Sequence, residues 1–167
     1  MIAGLYLTED QCTLAVIDDG IKIQEFETNE EIVENIQEVE ILAVNAPLTS
    51  GKELEEKEEE LQEEGYIFSP GAHDETLRRR AAHLKQLIEQ TGLETELIRY
   101  EPMITSRELA LDGDKALESM GFETSDIKKS RDFDAVLGAV TARFYDQDQF
   151  EDLGVVVPSS LNNSSDT

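Results

Sequence analysis

ILAVNAPLTSG, residues 41–51, runs four apolar residues into an Asn, then Ala-Pro-Leu, then a polar Thr-Ser-Gly turn. A short apolar run bounded by turn signals suits a strand buried on both faces, in the middle of a mixed sheet. Pro47 has no backbone N–H to donate, so pairing should stop near it. Asn45 then stands at the C-terminal edge of the strand, where open α/β sheets place their chemistry.

The residues before this strand say how it is reached. Ile2–Leu7, Cys12–Ile17 and Ile21–Phe26 read as three strands, with Asp19-Gly20 a strong hairpin turn between the last two. An antiparallel meander therefore opens the chain. Thr28 and Glu31 have capping-box spacing, and Ile32, Val33, Ile36 and Val39 form the apolar stripe of the helix behind them. A strand reached through a crossover helix runs parallel to a neighbour in the same sheet.

Downstream, residues 52–65 are the densest acid block, with Leu54 and Leu61 its only large apolar residues. The thin seam predicts a solvated helix or a mobile lid, in preference to a metal-binding cluster, with its carboxylates hydrated and splayed. Tyr66–Gly71 is a loop whose aromatics should pack inward. Asp74–Gln90 reads as a helix with Leu77, Ala81, Leu84, Leu87 and Ile88 on one face and Gly92 as its stop. Arg78–Arg80 is the only basic triplet. Arg80 flanks the buried face, where it either partners surrounding carboxylates or borders a cleft and holds a phosphate or carboxylate. Glu94–Tyr100 is the fifth strand, ended by Glu101-Pro102 much as Asn45 and Pro47 end the strand before it. That puts Asn45 and Glu101 on one rim.

Residues 103–129 form a looser helical connection, broken at Gly113 and Gly121. Ser130 is placed to cap the last long helix, Arg131–Tyr145, with Phe133, Val136, Leu137, Val140 and Phe144 as its core face. Asp134 lies in its opening turn, on the side of Gly138 and Thr141, whose small size would let the helix approach the sheet closely. Val155–Pro158 reads as a short strand, and 159–167 as a disordered tail. Residues 1–158 are thus one domain, with an acidic helical insertion at about 52–65.

The chain has 167 residues, enough for one sizeable core, and 38 Asp and Glu against 14 Lys and Arg, a formal charge of -24. Such charge favours solubility and opposes nonspecific contact with nucleic acid. It fits either a surface adapted to a salty cytoplasm or a dedicated basic partner. The spread of acids along the chain favours the first. No window approaches the roughly 18 apolar residues of a membrane span, and the N-terminus has no signal-peptide pattern. With Cys12 the only cysteine, a disulfide within the chain and a thiolate zinc site are both excluded. The expected setting is cytoplasmic.

AVNAPL, FSPGAHDETLRRRAAHL, IRYEP and DFDAVLGAVTARFY together resemble, in order and spacing, the hallmarks of a family of archaeal and bacterial proteins predicted to be nucleases of ribonuclease H-like fold. The similarity extends from about residue 2 to residue 158. It implies an α/β fold with a mixed five-stranded sheet, antiparallel meander then parallel strands, flanked by helices. It also implies acids in the first strand, in an IDAPL-like strand, at the Glu-Pro strand end and in the last helix. These would converge on Mg2+ or Mn2+ for phosphodiester hydrolysis. Glu101 and Asp134 match the last two and are the expected metal ligands. The first position falls at Tyr6 and the second at Asn45, so both lose a negative charge; Asn45 is left as an auxiliary catalytic ligand, and Arg80 as the substrate contact. Asp18, Asp19 and Asp132 are candidates to substitute in space.

Two functions follow: a weakened metal-dependent nuclease acting on nucleic acid, or a catalytically inactive binding or regulatory module with a protein partner. A structural subunit of a larger assembly is a third class with no feature of its own beyond the acidic segment. The sequence does not set the oligomeric state.

Overall fold

The computed structural model of the chain describes residues 1–48, 52–69 and 74–159. The polar turn after Pro47, the Pro-Gly of the aromatic loop and the tail from 160 onward lie outside the described residues. Ile2–Leu7 (β1), Cys12–Ile17 (β2) and Ile21–Phe26 (β3) are the meander. Asn29–Asn35 (α1) leads to Ile41–Val44 (β4), and Lys52–Glu63 (α2) and Glu75–Thr91 (α3) lead to Glu96–Arg99 (β5). Pro102–Leu109 (α4), Asp114–Ser119 (α5) and Ser130–Asp146 (α6) follow, then a hairpin of Phe150–Asp152 (β6) and Val156–Pro158 (β7).

The five-stranded sheet has the order β3-β2-β1-β4-β5. β1 pairs antiparallel with β2 and parallel with β4, and β4 pairs parallel with β5. This is the ribonuclease H-like arrangement expected, a mixed five-stranded sheet flanked by helices. The two-residue period of the strands sorts their side chains. Leu5, Leu7, Leu14, Val16, Leu42 and Val44 face α1 and α3. Ala15, Ile17, Ala43, Ile98 and Tyr100 face α6.

α6 lies directly on β1. A Cβ at Gly4 would stand 2.2 Å from the Ala135 carbonyl oxygen, and one at Gly138 would stand 2.6 Å from the Tyr100 ring. The two glycines let the backbones meet, and Tyr100 fills the adjoining space. This close approach is what the small residues of α6 predict.

Local signals behave as written in the sequence, with exceptions. The Thr28 hydroxyl accepts from the Glu31 N–H, and the Glu31 carboxylate accepts from the Thr28 N–H. Asp74 caps α3 and Gly92, at φ 74°, ends it. Ser130 does not cap α6. Instead Asp132, buried in the first turn, accepts from the backbone N–H groups of Lys128 and Lys129, both at 3.0 Å. Nor are all carboxylates of α2 hydrated: Glu58 is buried and accepts from Arg99 Nη1 at 2.7 Å, with both side chains 6% exposed. β6, which pairs antiparallel with β7, has no clear counterpart in the sequence pattern.

Candidate functional site

β1 and β4 run parallel, so their C-terminal ends open on the same edge of the sheet, and β5 ends beside them. A hollow of about 160 Å³ lies at that edge, with Tyr6, Asn45, Ser69, Asp74 and Glu101 among its lining residues. The rim predicted from Asn45 and Glu101 therefore exists. Asp134, in the opening turns of α6, does not line the hollow. It is close enough to Glu101 for their charges to interact, and the Tyr100 hydroxyl donates to its backbone carbonyl at 2.9 Å. Asn45 and Glu101 thus share the hollow, and Asp134 stands behind it within reach of the Glu101 charge.

Asn45 is committed to the fold. β4 pairing ends at Val44, and the Asn45 side chain continues it by other means. Its Oδ1 accepts from the Leu7 N–H at 2.6 Å and its Nδ2 donates to the Leu7 carbonyl at 3.0 Å. Both ends of the amide are used on one residue of β1, in a position that is 8% exposed. An aspartate could make the first bond and would oppose the second, because two acceptors would face each other.

Glu101 is also engaged. It is 2% exposed and stands at the N-cap of α4, with Pro102 just inside the helix. Its Oε2 accepts from the Met103 N–H at 2.9 Å and from the Ser69 hydroxyl at 2.6 Å, and its Oε1 accepts from the Ser69 N–H at 2.9 Å. Three donors thus converge on this carboxylate. Ser69 is a contact of Glu101 that no pattern in the sequence singled out.

The remaining groups carry the electrostatic signature of this crowding. Burial, followed by the nearby Glu101 charge, raises the Asp134 carboxyl from 3.8 to about 6. Burial also raises the Tyr6 phenol, with Asp134 and Glu101 adding to it, and it raises the fully buried Tyr100 phenol further. Tyr6 is therefore a neutral phenol at this edge.

Arg80 does not reach into the hollow as a free cation. Its Nη1 donates to the carbonyls of Thr8 and Gln11, both at 2.9 Å, its Nη2 to the carbonyl of Glu27 at 2.8 Å, and its Nε to Asn29 Oδ1 at 3.3 Å. It ties the β1–β2 turn, the exit of β3 and the start of α1 into one unit. A phosphate contact at Arg80 would have to compete with these acceptors. Asp18 and Asp19 lie in the β2–β3 turn at the opposite end of the sheet, and Asp132 is held by backbone donors. None of the three substitutes for Tyr6 or Asn45.

Among the described residues no group of three or more His, Cys, Asp and Glu side chains is arranged to hold a metal ion. A two-metal centre does not fit this donor set. One position offers a phenol and another an amide bonded to backbone, while Glu101 already accepts three hydrogen bonds.

No protein-family model matches the chain, and no curated protein matches it. Solved structures do. The chain is similar to T. thermophilus RuvC in complex with Holliday junction substrate, with TM-score 0.56, 15% identity, and coverage of 94% of this chain and 98% of that one. It is also similar to the Thermus thermophilus RuvC structure, with TM-score 0.54, 14% identity and the same coverage. At this identity the similarity establishes the fold, ribonuclease H-like. No helix among the described residues is long and apolar enough to cross a membrane.

Proposed function

We propose that this chain is a ribonuclease H-like module that works by binding and not by hydrolysis, Tyr6 and Asn45 standing where the resemblance implies two of the four acids. The observation that carries this is the Asn45 amide, whose oxygen and nitrogen are both spent on Leu7. Tyr6 agrees with it, since a phenol occupies the position of an acid in the resembling family. A charge of -24 and an engaged Arg80 favour a protein over a nucleic acid as the partner.

One observation favours the second reading, a residual single-cation site. Glu101 and Asp134 are near enough for one charge to raise the pKa of the other, and a divalent cation would relieve that repulsion. Glu101 and Asp134 would be its ligands, with Mg2+ or Mn2+ supplying the charge to polarise a phosphodiester. The Holliday junction of the RuvC complex makes branched DNA the first nucleic acid to try.

The two readings separate in one experiment. The chain is titrated with MgCl2 and MnCl2 while thermal unfolding is followed, and branched DNA, duplex DNA and RNA are incubated with it under the same conditions. The module reading expects no metal-dependent stabilisation and no cleavage. Stabilisation or cleavage by the wild type that disappears in Glu101→Ala and in Asp134→Ala would overturn it. Restoring both acids, Tyr6→Asp with Asn45→Asp, tests the scaffold: manganese-dependent cleavage by a folded double variant would support descent from a nuclease.

A further inference from the structure

A second cavity lies away from this rim. A cleft of about 580 Å³ opens at the other end of the sheet, where β1 begins and the β2–β3 hairpin turns. It lies on the α1 face, between the hairpin and the end of α1. Val16, Ile21 and Val39 give it apolar walls, and Asp18, Glu34 and Glu38 stand on its edge, all three exposed. Among the described residues Lys22 is the one Lys or Arg lining it, and the last turn of α1 carries none. β3 is also an end strand of the sheet, so one flank of its backbone faces no other strand.

We infer that this cleft docks a basic segment of a partner protein, extended along β3 with an apolar side chain set between the hairpin and α1. Each part of the occupant is read from the surface. An end strand takes an added strand through main-chain hydrogen bonds, with alternate side chains entering neighbouring pockets. The cavity is the size of one or two side chains plus backbone, within the usual range for a ligand site. Three carboxylates against Lys22 and the Met1 amino group leave the lining net acidic and favour a cationic segment, and the net charge of -24 disfavours both a second copy of this chain and a nucleic acid. The inference goes beyond the reading of the rim and holds whether or not the rim binds a metal.

The probe is a short fluorescein-labelled peptide alternating arginine and valine, with a glutamate–valine peptide as its charge-reversed control. Binding is followed by fluorescence anisotropy at physiological salt, and its location by amide chemical-shift changes. Because any cation is drawn to so acidic a protein, the variants are matched in charge. Glu34→Lys with Glu38→Lys should weaken binding of the arginine–valine peptide by about tenfold, whereas Glu55→Lys with Glu59→Lys on α2 should change it less than about twofold. Lys22→Glu should strengthen binding several-fold, and Lys57→Glu should not. The shifts should centre on Val16, Ile21, Lys22 and Val39.

Equal losses in the two paired variants, or shifts centred on α2 or on the Glu101 rim, would overturn the inference. So would failure of the peptide to bind the wild type. Self-association of the free protein that Glu34→Lys with Glu38→Lys abolishes would assign the cleft to a second copy instead. Should the paired variant at Glu34 and Glu38 fail to fold, the gain from Lys22→Glu decides alone.

Discussion

Asp134→Asn should stabilise the protein at neutral pH, although it removes one of the two acids that match the family pattern. Burial and the Glu101 carboxylate raise Asp134 from 3.8 to about 6. In the folded chain its ionised form is therefore unfavourable, and in the unfolded chain it is not. The full rise corresponds to about 3 kcal/mol. Asp134 is only part-buried, and solvent screening reduces this to on the order of 1–2 kcal/mol. Below the unfolded value the group is protonated in both states, so the asparagine gains nothing there. As pH rises from about 4 to about 6 the unfolded chain releases the proton first, and the wild type loses stability relative to the variant. Above about 6 the gap is constant. Urea unfolding followed by far-ultraviolet circular dichroism, at constant ionic strength and with EDTA present, measures it. The melting temperature of Asp134→Asn should exceed that of the wild type by roughly 3–6 °C at pH 7.5 and match it at pH 4. A variant that is neutral or destabilised at pH 7.5, or whose advantage does not change with pH, would refute the account of the rim as two crowded carboxylates.

Other substitutions test the supports of the same edge. Asn45→Asp should cost about 2 kcal/mol at neutral pH, because a buried carboxylate would face the Leu7 carbonyl without a donor; urea midpoints against wild type read this out. Gly4→Ala should prevent α6 from seating and cost about 3 kcal/mol or abolish folding, since its Cβ would meet the backbone of Ala135 and Ala139 at 2.2 Å. Gly20→Ala, with nothing within 4 Å of its Cβ, is the harmless control in the same melting series. Arg99→Ala, which removes the guanidinium from buried Glu58, should cost about 3–5 kcal/mol, and Arg99→Met with Glu58→Leu should recover most of it.

The fold was readable because its signals are local and periodic. The meander, the Thr28 capping box and the apolar run of β4 each follow from neighbouring residues, and the crossover through α1 makes β4 parallel to a neighbour without saying whether that neighbour is β1 or β3. The rim was readable as a place for a similar reason, since Asn45 and Glu101 end adjacent strands next to prolines. What these residues do there was not readable. Asn45 is bonded to a residue 38 positions away, and Glu101 to Ser69, 32 away. Arg80 spans 72 positions to Thr8. Sequence pattern places such side chains on a face and leaves their partners undetermined. The burial of Glu58 went unseen for the same reason: within an acidic helix nothing distinguishes the one carboxylate that meets Arg99.

The two neighbouring acids of this edge sit in different surroundings. Glu101 is the more deeply buried, at 2% exposure, yet three donors stabilise its negative charge. That fixed charge then acts on Asp134, which lies on a different element and is pushed up to about 6. A cation entering here would gain from Asp134 but would have to compete with Ser69 and the Met103 N–H for Glu101. Charge-assisted bonds of this kind contribute about 1.5–3 kcal/mol each. The backbone contacts of Asn45 tie the ends of β1 and β4 together, and those of Glu101 cap α4. A cation would therefore meet an edge where Asn45 and Glu101 are already bonded to other groups, and its gain would come from Asp134.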